Sequence, residues 1–479
     1  MNRQERRRQT RLGGLAPTPP PASGAHGMVA LALQALGAGY PGDAERLLHQ
    51  VLAAAPRDAA AMHVLGIVAH QTGRHEAALD WLLKAAAADG RDATIQISLG
   101  NVLMHVGRLE EAVAAFRKAL RRQPELSQAL NNLGNALHAL RRTEEARDAY
   151  QKALALRPDD AEAHYNLAML ELALGEMPAA WSRHEWRWKG ALVGLTFPVG
   201  PTPQWMGEPA EGRTLLIRAE QGFGDMVQFC RFAPQAAARG LRVVMQVPAP
   251  LLRLFRGVDG VTQVADIEDA LPAADIFSPM MSLPHALGTT LETIPTAPYL
   301  RADPADAEAW RLRLAAQAGH APRIGLVWRG GVEKESIIDK AVGRRRSIDP
   351  IQLAPVLDVP GVRFVSLQKD GPPPPAGLGL IDFMPEMRDF ADTAALIAAL
   401  DLVISTDTAV AHLAGALGKQ VWLLDRHIPC WRWLLDRQDS PWYPSMRIYR
   451  QPTLTDWTSV IAEVAGDLRG FAADRTAAV

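Results

Sequence analysis

The sequence has little cysteine and no long apolar run. Two cysteines in 479 residues, Cys230 and Cys430, can form neither a disulfide framework nor a metal-ligand cluster. No apolar run reaches the ~18 residues of a membrane-spanning helix, and the N-terminal stretch MNRQERRRQTR lacks the apolar core of a secretory signal. The formal net charge of -1 creates no field that would attract nucleic acid or an anionic membrane. We therefore expect a cytoplasmic protein without an integral membrane segment and without a nucleic-acid partner.

Residues 1–26 also lack apolar content. Five arginines are followed by the stretch APTPPPASGAHG, which is rich in Pro, Gly and Ser. Such a composition cannot offset the entropy lost on folding, so we predict a disordered, basic and proline-rich tail over residues 1–26. The remaining chain is long enough for two or three domains with sizeable cores.

From residue 27 to residue 194 the sequence repeats with a period of 34 residues. The turn residues Pro56, Gly90, Pro124 and Pro158 follow this period, as do the small residues Gly66, Gly100, Gly134 and Ala168. A 34-residue period with small residues where helices cross is the tetratricopeptide pattern, an α superhelix of stacked helix pairs. We predict repeats at 25–58, 59–92, 93–126 and 127–160, with a divergent fifth at 161–194.

Asparagines fall on the first helix of several predicted repeats: Asn101, Asn131, Asn132, Asn135 and Asn166. In the tetratricopeptide repeats that this pattern resembles, such asparagines grip the backbone of a bound peptide. The resemblance implies a peptide-binding groove on the concave face, and hence a protein partner. A merely solvated helix face is the alternative.

Three tryptophans, Trp181, Trp186 and Trp188, lie within eight residues at the end of the fifth repeat. They are too apolar for solvent, so we interpret them as a cap that docks the superhelix onto the next domain. The segment 195–211 is irregular and rich in Pro and Gly, and we predict a linker there.

β-type runs alternate with helical stretches over the rest of the chain. In residues 212–300 these runs begin at Thr214, Val243, Thr262 and Asp275, and in residues 301–479 they begin at Arg323, Val362, Leu402 and Val421. Strands that alternate with helices indicate parallel sheets covered by helices. We therefore predict two Rossmann-like halves, with a cleft between them where the carboxyl ends of the strands meet.

The stretch 402–424 is the clearest of these units. A strand, a polar break at Asp407 and Thr408, a helix that carries His412 and a second strand form a βαβ unit. Asp407 lies at the carboxyl end of its strand, where open α/β sheets bind their ligands. A helix cap at Asp407 and a packed helical histidine at His412 are the alternatives.

A second polar turn follows the strand that begins at Thr214. Gln221, Gly222, Gly224 and Asp225 stand between this strand and a helix. The two glycines permit a tight turn with free backbone N–H groups at a helix N-terminus, which suits anionic groups. No third glycine stands where the dinucleotide fingerprint needs one, which argues against NAD binding. A partner of the helix dipole is the alternative for Asp225.

The series Asp407-Thr408-Ala409, followed by His412 and Ala414, resembles the Asp-Ser/Thr-Gly/Ala-x-x-His-x-Ala signature of the heptosyltransferase-like glycosyltransferases of family 9. The turn 221–225 is similar to the Gly-Asp turn that carries the catalytic base in these enzymes. The resemblance implies an α/β GT-B domain made of two Rossmann-like halves, which moves a sugar from a nucleotide-sugar donor.

The same resemblance implies roles for individual residues. Asp225 becomes the catalytic base, and Gln221, Gly222 and Gly224 form the acceptor-side turn. The donor-binding residues in the second half are Arg329, Gly330, Arg346, Ser347, Gln368, Asp407, Thr408 and His412. Because the sequence contains no Asp-x-Asp, we expect a metal-independent enzyme without a cofactor, in which arginines hold the leaving phosphate. A solvated loop is the alternative for Arg344–Arg346.

Repeats fused to such a domain resemble bacterial proteins that glycosylate proteins, flagellin among them, which makes a flagellin-like protein the expected acceptor. Thr408-Ala409 stands where Ser-Gly is frequent in lipopolysaccharide heptosyltransferases, which argues against heptose and a lipid acceptor. Two alternatives stay open. One is an enzyme that acts on a surface glycan or lipid, and the other is a non-catalytic repeat scaffold whose transferase-like half has decayed.

Aromatic residues and cations stand side by side between Cys430 and Pro444, among them Trp431, Arg432 and Trp433. They form either a stacking surface for a base or sugar, or a lid packed on the sheet, which we prefer.

The two aspartates are expected to respond differently to substitution. Asp225→Asn should lower kcat, and Asp407→Asn should mainly raise KM for the donor. Because Asn caps helices about as well as Asp, we expect both variants to fold normally.

Overall fold

The computed structural model describes residues 24–189, 202–330, 346–369 and 379–477, with side chains to residue 475. The chain divides after Pro158 into two compact units, residues 1–158 and 159–479. Of the predicted tail, residues 1–23 lie outside the described residues, and so do residues 195–201 of the predicted linker and Arg344 and Arg345.

The first unit consists, over its described residues, of paired α-helices. Their bounds are α1 Ala25–Gly37, α2 Pro41–Ala54, α3 Ala59–Gln71, α4 His75–Ala88, α5 Ala93–His105, α6 Leu109–Arg122, α7 Ser127–Ala139 and α8 Thr143–Leu156. Asp58 and Asp92 cap α3 and α5, since their carboxylates accept from Ala61 N–H at 2.8 Å and Thr94 N–H at 2.7 Å. The predicted repeats of helix pairs are confirmed.

Small residues allow the two helices of a repeat to cross closely. A Cβ placed on Gly66 would lie 2.5 Å from Leu82, and one on Gly100 would lie 2.5 Å from Phe116. Because these distances are below van der Waals contact, the 34-residue spacing of glycine reflects the packing of each helix pair.

The second unit begins with a further helix pair, α9 Ala161–Leu174 and α10 Met177–His184, followed by a 3-10 turn, Glu185–Trp188. Trp181 is 1% exposed, and its indole N–H donates to Thr289 O at 3.1 Å. Its ring makes an edge contact with Trp431 at 5.5 Å. This helix pair is therefore part of the core of the second unit.

Two parallel sheets follow. The first has the order β3-β2-β1-β4, with β1 Thr214–Arg218, β2 Arg242–Val247, β3 Val261–Asp266 and β4 Ile276–Pro279. The second has the order β10-β9-β8-β5-β6-β7, with β5 Arg323–Val327, β6 Arg363–Ser366, β7 Ile381–Asp382, β8 Leu402–Thr406, β9 Val421–Asp425 and β10 Met446–Arg450. All strand pairs are parallel. The eight predicted strands are confirmed, whereas β7 and β10 were not predicted.

Helices cover both sheets, as parallel strands require. Their bounds are α11 Phe223–Phe229, α12 Ala233–Ala237, α13 Leu252–Phe255, α14 Leu283–Ala286, α15 Pro304–Ala318, α16 Ala354–Leu357, α17 Phe390–Ala398, α18 Ala409–Ala416 and α19 Trp457–Ala477. Every residue of β8 and β9 is buried, as expected for two neighbouring interior strands of the second sheet. The predicted α/β region with parallel sheets is confirmed.

Candidate functional site

A cleft of about 340 Å³ lies where the two sheets approach each other. Phe223 and Pro250 come from the first sheet's half, and Arg329, Lys369 and the start of α18 come from the second. The rings of Phe223 and Phe390, one from each half, lie 5.0 Å apart. The volume is within the range of small-molecule sites, and the walls are apolar with a few polar groups, as in many ligand pockets.

Asp225 lies in the first turn of α11, three residues after the N-cap Gly222. Its Oδ2 accepts from the Gly222 N–H at 2.9 Å, and its Oδ1 forms an ion pair with Arg432. The carboxylate is 19% exposed. Our expectation that Asn replaces Asp225 as a helix cap is wrong, because Asp225 is not the cap and its carboxylate pairs with a buried cation.

Arg432 was not predicted as a site residue. It is 8% exposed, its Nε donates to Gln228 Oε1, and its guanidinium lies 4.4 Å from the ring of Trp431. Burial alone would lower the pKa of Arg432, but the Asp225 carboxylate offsets this and the pKa is raised. The sequence signal that could have identified Arg432 as a buried cation is the tryptophan on each side of it, Trp431 and Trp433.

The flanking tryptophans do not form a stacking surface. Trp431 is 7% exposed and Trp433 is fully buried, so the packed interpretation of this segment is confirmed. This segment places the Arg432 guanidinium against the Asp225 carboxylate.

Asp407 and His412 lie at the carboxyl end of β8 and in α18. The N-cap of α18 is Thr408, so Asp407 precedes the cap, and its Oδ1 lies 3.9 Å from His412 Nε2. His412 is 4% exposed and stacks on Trp433 at 5.1 Å. Burial, assisted by the charge of Arg432, lowers the pKa of His412 to about 3, so the imidazole is neutral at physiological pH.

The two predicted turns meet at one point. A Cβ on Gly224 would lie 2.9 Å from His412 Cδ2 and 3.5 Å from Ala409 Cα. Glycine at this position therefore lets the turn that carries Asp225 approach the start of α18. Gln221 precedes this glycine turn with a φ of 61°, a left-handed conformation.

The remaining predicted donor residues lie at the carboxyl edge of the second sheet. Gln368 Oε1 accepts from Arg329 N–H at 2.9 Å, and Gln368 Nε2 donates to Arg329 O at 3.0 Å. This side chain holds the turn after β5. Arg346 Nη1 donates to Asp407 O at 3.4 Å and packs against Gly330, while Ser347 follows it in the chain. The Thr408 hydroxyl lies 3.0 Å from Ser405 Oγ.

Lys369 is a further cation of the cleft that was not predicted. It follows Gln368 at the end of β6, and its Nζ donates to Met387 O at 2.9 Å. Lys369 could have been predicted from its place after a strand, because ligands bind at the carboxyl ends of parallel strands.

A buried arginine connects α10 with the turn before Asp225. Arg187 is fully buried, and its guanidinium donates to both carboxylate oxygens of Glu220 at 3.0 Å. Glu220 in turn accepts from Met281 N–H at 2.8 Å. The helix pair α9–α10 thus fixes the segment that leads into the Gly222–Asp225 turn.

The predicted asparagines fall in both units. In the first unit, Asn132 donates to Asn101 Oδ1 at 2.8 Å, Asn135 accepts from the Tyr150 hydroxyl at 2.8 Å, and Asn131 is only 2% exposed. Asn131 therefore contributes to helix packing. Asn166 lies on α9 in the second unit.

Two further properties concern the described part of the chain. Across residues 24–189, 202–330, 346–369 and 379–477, no three His, Cys, Asp or Glu side chains are arranged to hold a metal ion. Among the helices of these same residues, none is both long and apolar enough to cross a membrane.

Comparisons with known proteins identify the repeats. Tetratricopeptide repeat families match residues 91–159 and residues 29–93 and 140–181. The chain is 30% identical over 335 residues to Protein FlbA of Caulobacter vibrioides, an alignment that covers 64% of this chain and 54% of that protein. The chain thus spans about half the length of the curated relative that it matches. The repeats point to protein partners.

Solved structures that resemble the chain cover about a third of it. MamA from Desulfovibrio magneticus RS-1 is 20% identical with a TM-score of 0.31, over 34% of this chain and 92% of that one. Pseudomonas aeruginosa pilF is 24% identical with a TM-score of 0.32, over 34% of this chain and 74% of that one.

Proposed function

We propose that this protein is a metal-independent glycosyltransferase that moves a sugar from a nucleotide-sugar donor to a protein acceptor recruited by its repeats. One observation carries the proposal: the turn with Asp225 and the turn with Asp407 meet at the cleft between two parallel sheets. Ligands of such sheets bind at the carboxyl ends of the strands. The GT-B assignment and a cytoplasmic location are part of the proposal.

The donor belongs, in this proposal, to the carboxyl edge of the second sheet. Arg329 and Lys369 line the cleft there and provide positive charge for the phosphates. Asp407, 13% exposed, accepts hydrogen bonds from sugar hydroxyls. Phe223 and Phe390 supply apolar surface beside these polar groups.

Asp225 is the proposed base that takes the proton of the acceptor hydroxyl. An ionised carboxylate has about four lone-pair sites, and the contacts with Gly222 and Arg432 leave sites free for the acceptor. Arg432 holds the carboxylate in one orientation, which favours the geometry that proton transfer needs.

The repeats are proposed to recruit the acceptor. A binding module joined to a catalytic unit raises the local concentration of the acceptor, without any additional contact in the cleft. A flagellin-like protein is the acceptor class that we propose, and a surface glycan or lipid is the alternative.

A second candidate is a non-catalytic scaffold. The observation that favours it is the ion pair of Asp225, since Arg432 occupies one carboxylate oxygen and the Gly222 N–H occupies the other. Under this alternative the repeats bind a partner and the cleft performs no chemistry.

Donor turnover distinguishes the two candidates. The purified full chain is incubated with a panel of nucleoside diphosphate sugars, and release of the nucleotide is measured. The proposal predicts release from at least one donor, with a raised KM in Asp407→Asn. Asp259→Asn, an aspartate in an exposed ion pair with Arg301, is the matched control. Absence of binding and release across the panel, with an intact fold, favours the scaffold.

A further inference from the structure

Tyr443 connects the buried His412 to a hydrogen-bonded chain inside the second unit. Its hydroxyl lies 2.9 Å from His412 Nδ1 and 3.4 Å from the hydroxyl of Tyr299. The Tyr443 ring is fully buried and packs on α18, where a Cβ on Gly415 would lie 2.5 Å from it. The position of the hydroxyl is therefore fixed by packing.

The hydrogen bonds of Tyr299 restrict those of Tyr443. The Tyr299 hydroxyl accepts from Arg231 Nη2 at 2.8 Å and donates its single proton to Val227 O at 3.0 Å. Tyr299 thus has no proton to give to Tyr443. The Tyr443 hydroxyl therefore donates its proton to His412 Nδ1, which lies 2.9 Å away, rather than to the Tyr299 hydroxyl at 3.4 Å.

The other nitrogen of His412 faces a negative charge. His412 Nε2 lies 3.9 Å from Asp407 Oδ1, so a proton on Nε2 is stabilised by the carboxylate, whereas a lone pair there is repelled by it. A neutral imidazole carries one proton, and the partner of one nitrogen decides which nitrogen holds it. Both contacts favour the proton on Nε2.

We propose that Tyr443 is a positioning residue of the sugar-transfer site, which holds His412 in the Nε2–H tautomer so that its N–H faces Asp407. This inference rests on the proposed function. With the His412 Nε2–H facing it, the Asp407 carboxylate presents its remaining lone pairs to the nucleotide-sugar donor. Trp433 stacks on the face of the His412 imidazole, and the backbone of Gly224 packs closely against the edge of the ring. These two contacts keep the ring from turning over and exchanging the positions of its nitrogens.

Tyr443→Phe removes only the hydroxyl and keeps the packed ring. His412 Nδ1 then has no donor, and the Nδ1–H tautomer becomes populated. Because Asp407 loses part of its alignment, we expect KM for the donor sugar nucleotide to rise about tenfold, the equivalent of one hydrogen bond, with kcat within about twofold. Tyr449→Phe is the matched control, since the Tyr449 hydroxyl donates to Asp467 Oδ2 at 2.9 Å in a different apolar cluster.

The tautomer is read directly from the ¹⁵N chemical shifts of histidine-labelled full-length protein, with the His412 signals assigned by their loss in His412→Gln. The proposal expects Nε2–H in the wild type and in Tyr449→Phe, and a mixture in Tyr443→Phe together with the raised KM. A wild-type Nδ1–H tautomer overturns it, as does a Tyr443→Phe protein with unchanged tautomer or unchanged KM. The tautomer can be measured in a protein that shows no activity. A wild-type protein with the Nε2–H tautomer but without donor turnover therefore contradicts the proposed function and not the tautomer assignment.

Discussion

Asp225 and Arg432, 207 positions apart in the chain, form an ion pair that joins the glycine turn after β1 to the segment after β9. It links the halves that carry the two parallel sheets, and Asp225 lies two residues after Phe223, which lines the cleft. The guanidinium is also held by Gln228 and by the ring of Trp431. The residue that we propose as the base is therefore also part of the contact between the halves.

The first prediction concerns this pair. Asp225→Asn should destabilise the fold by about 3 kcal/mol, because it leaves a buried guanidinium without its counter-charge. It should also lower kcat by about 10²–10⁴-fold, the usual effect of a positioned base. Denaturant unfolding and steady-state kinetics measure the two effects.

Asp259→Asn is the control for stability, since the Asp259–Arg301 pair is exposed and should contribute no more than about 1 kcal/mol. Equal stability of the Asp225 and Asp259 variants contradicts the role of the buried ion pair. A normal kcat in Asp225→Asn removes the assignment of Asp225 as base.

The second prediction concerns the close approach at Gly224. A Cβ there would lie 2.9 Å from His412, whose ring is held by Trp433 and Tyr443 and cannot move away. Gly224→Ala should therefore cost about 1–3 kcal/mol of stability. It should also reduce donor turnover, since the two turns are forced apart.

Gly466→Ala provides the comparison, because Gly466 lies in α19 and a Cβ added there would meet no neighbouring atom within 4 Å. This variant should gain about 0.5–1 kcal/mol from helix propensity. A Gly224→Ala protein as stable as wild type shows that the approach of the turns is not tight.

The third prediction concerns the helix pair α9–α10. Deletion of residues 1–158 should leave a folded second unit that still binds donor but modifies no protein. Deletion of residues 1–188 should prevent folding, since it removes buried Trp181 and leaves Glu220 buried without Arg187. Circular dichroism and a thermal melt test the two truncations. A cooperative melt of the shorter fragment contradicts the structural role of α9–α10.

The fourth prediction is a loss of stability in acid. Burial lowers the pKa of His412 to about 3, and it lowers the pKa of His184 well below the usual 6.5. The unfolded chain binds these protons at pH 6.5, so the free energy of unfolding should fall as pH drops below 6.5 towards 3. Each histidine contributes a slope of up to about 1.4 kcal/mol per pH unit.

Denaturant titrations at pH 7.5 and pH 5 measure this slope. His412→Gln should lower this slope by up to about 1.4 kcal/mol per pH unit, the contribution of one proton. A His412→Gln protein with the wild-type slope means that His412 is not held neutral in the folded state.

The repeats and most strands follow from local sequence. A 34-residue period fixes the helix pairs because small residues must stand where the helices cross, as Gly66 and Gly100 do. Apolar runs locate the interior strands β8 and β9 because both faces of these strands are buried. The last strand, β10, was missed because Arg447 and Arg450 interrupt its apolar pattern at the sheet edge.

The contacts of the site do not follow from local sequence. Arg432 reaches Asp225 across 207 positions, and Arg187 reaches Glu220 across 33, which no periodicity indicates. The amide of Gln368 is occupied by the backbone of Arg329, although its position at a strand end suggested a ligand contact. Strand order and tertiary packing decide these pairs.

The most direct test of the central claim is intact-mass analysis of flagellin and other surface proteins from cells with and without this gene. We expect at least one protein to lose the mass of one or more sugar residues in the deletion strain. The wild-type gene should restore that mass, whereas the Asp225→Asn gene should not, at equal protein levels. Identical masses in both strains, or full restoration by the Asp225→Asn gene, contradict the proposed glycosyltransferase activity.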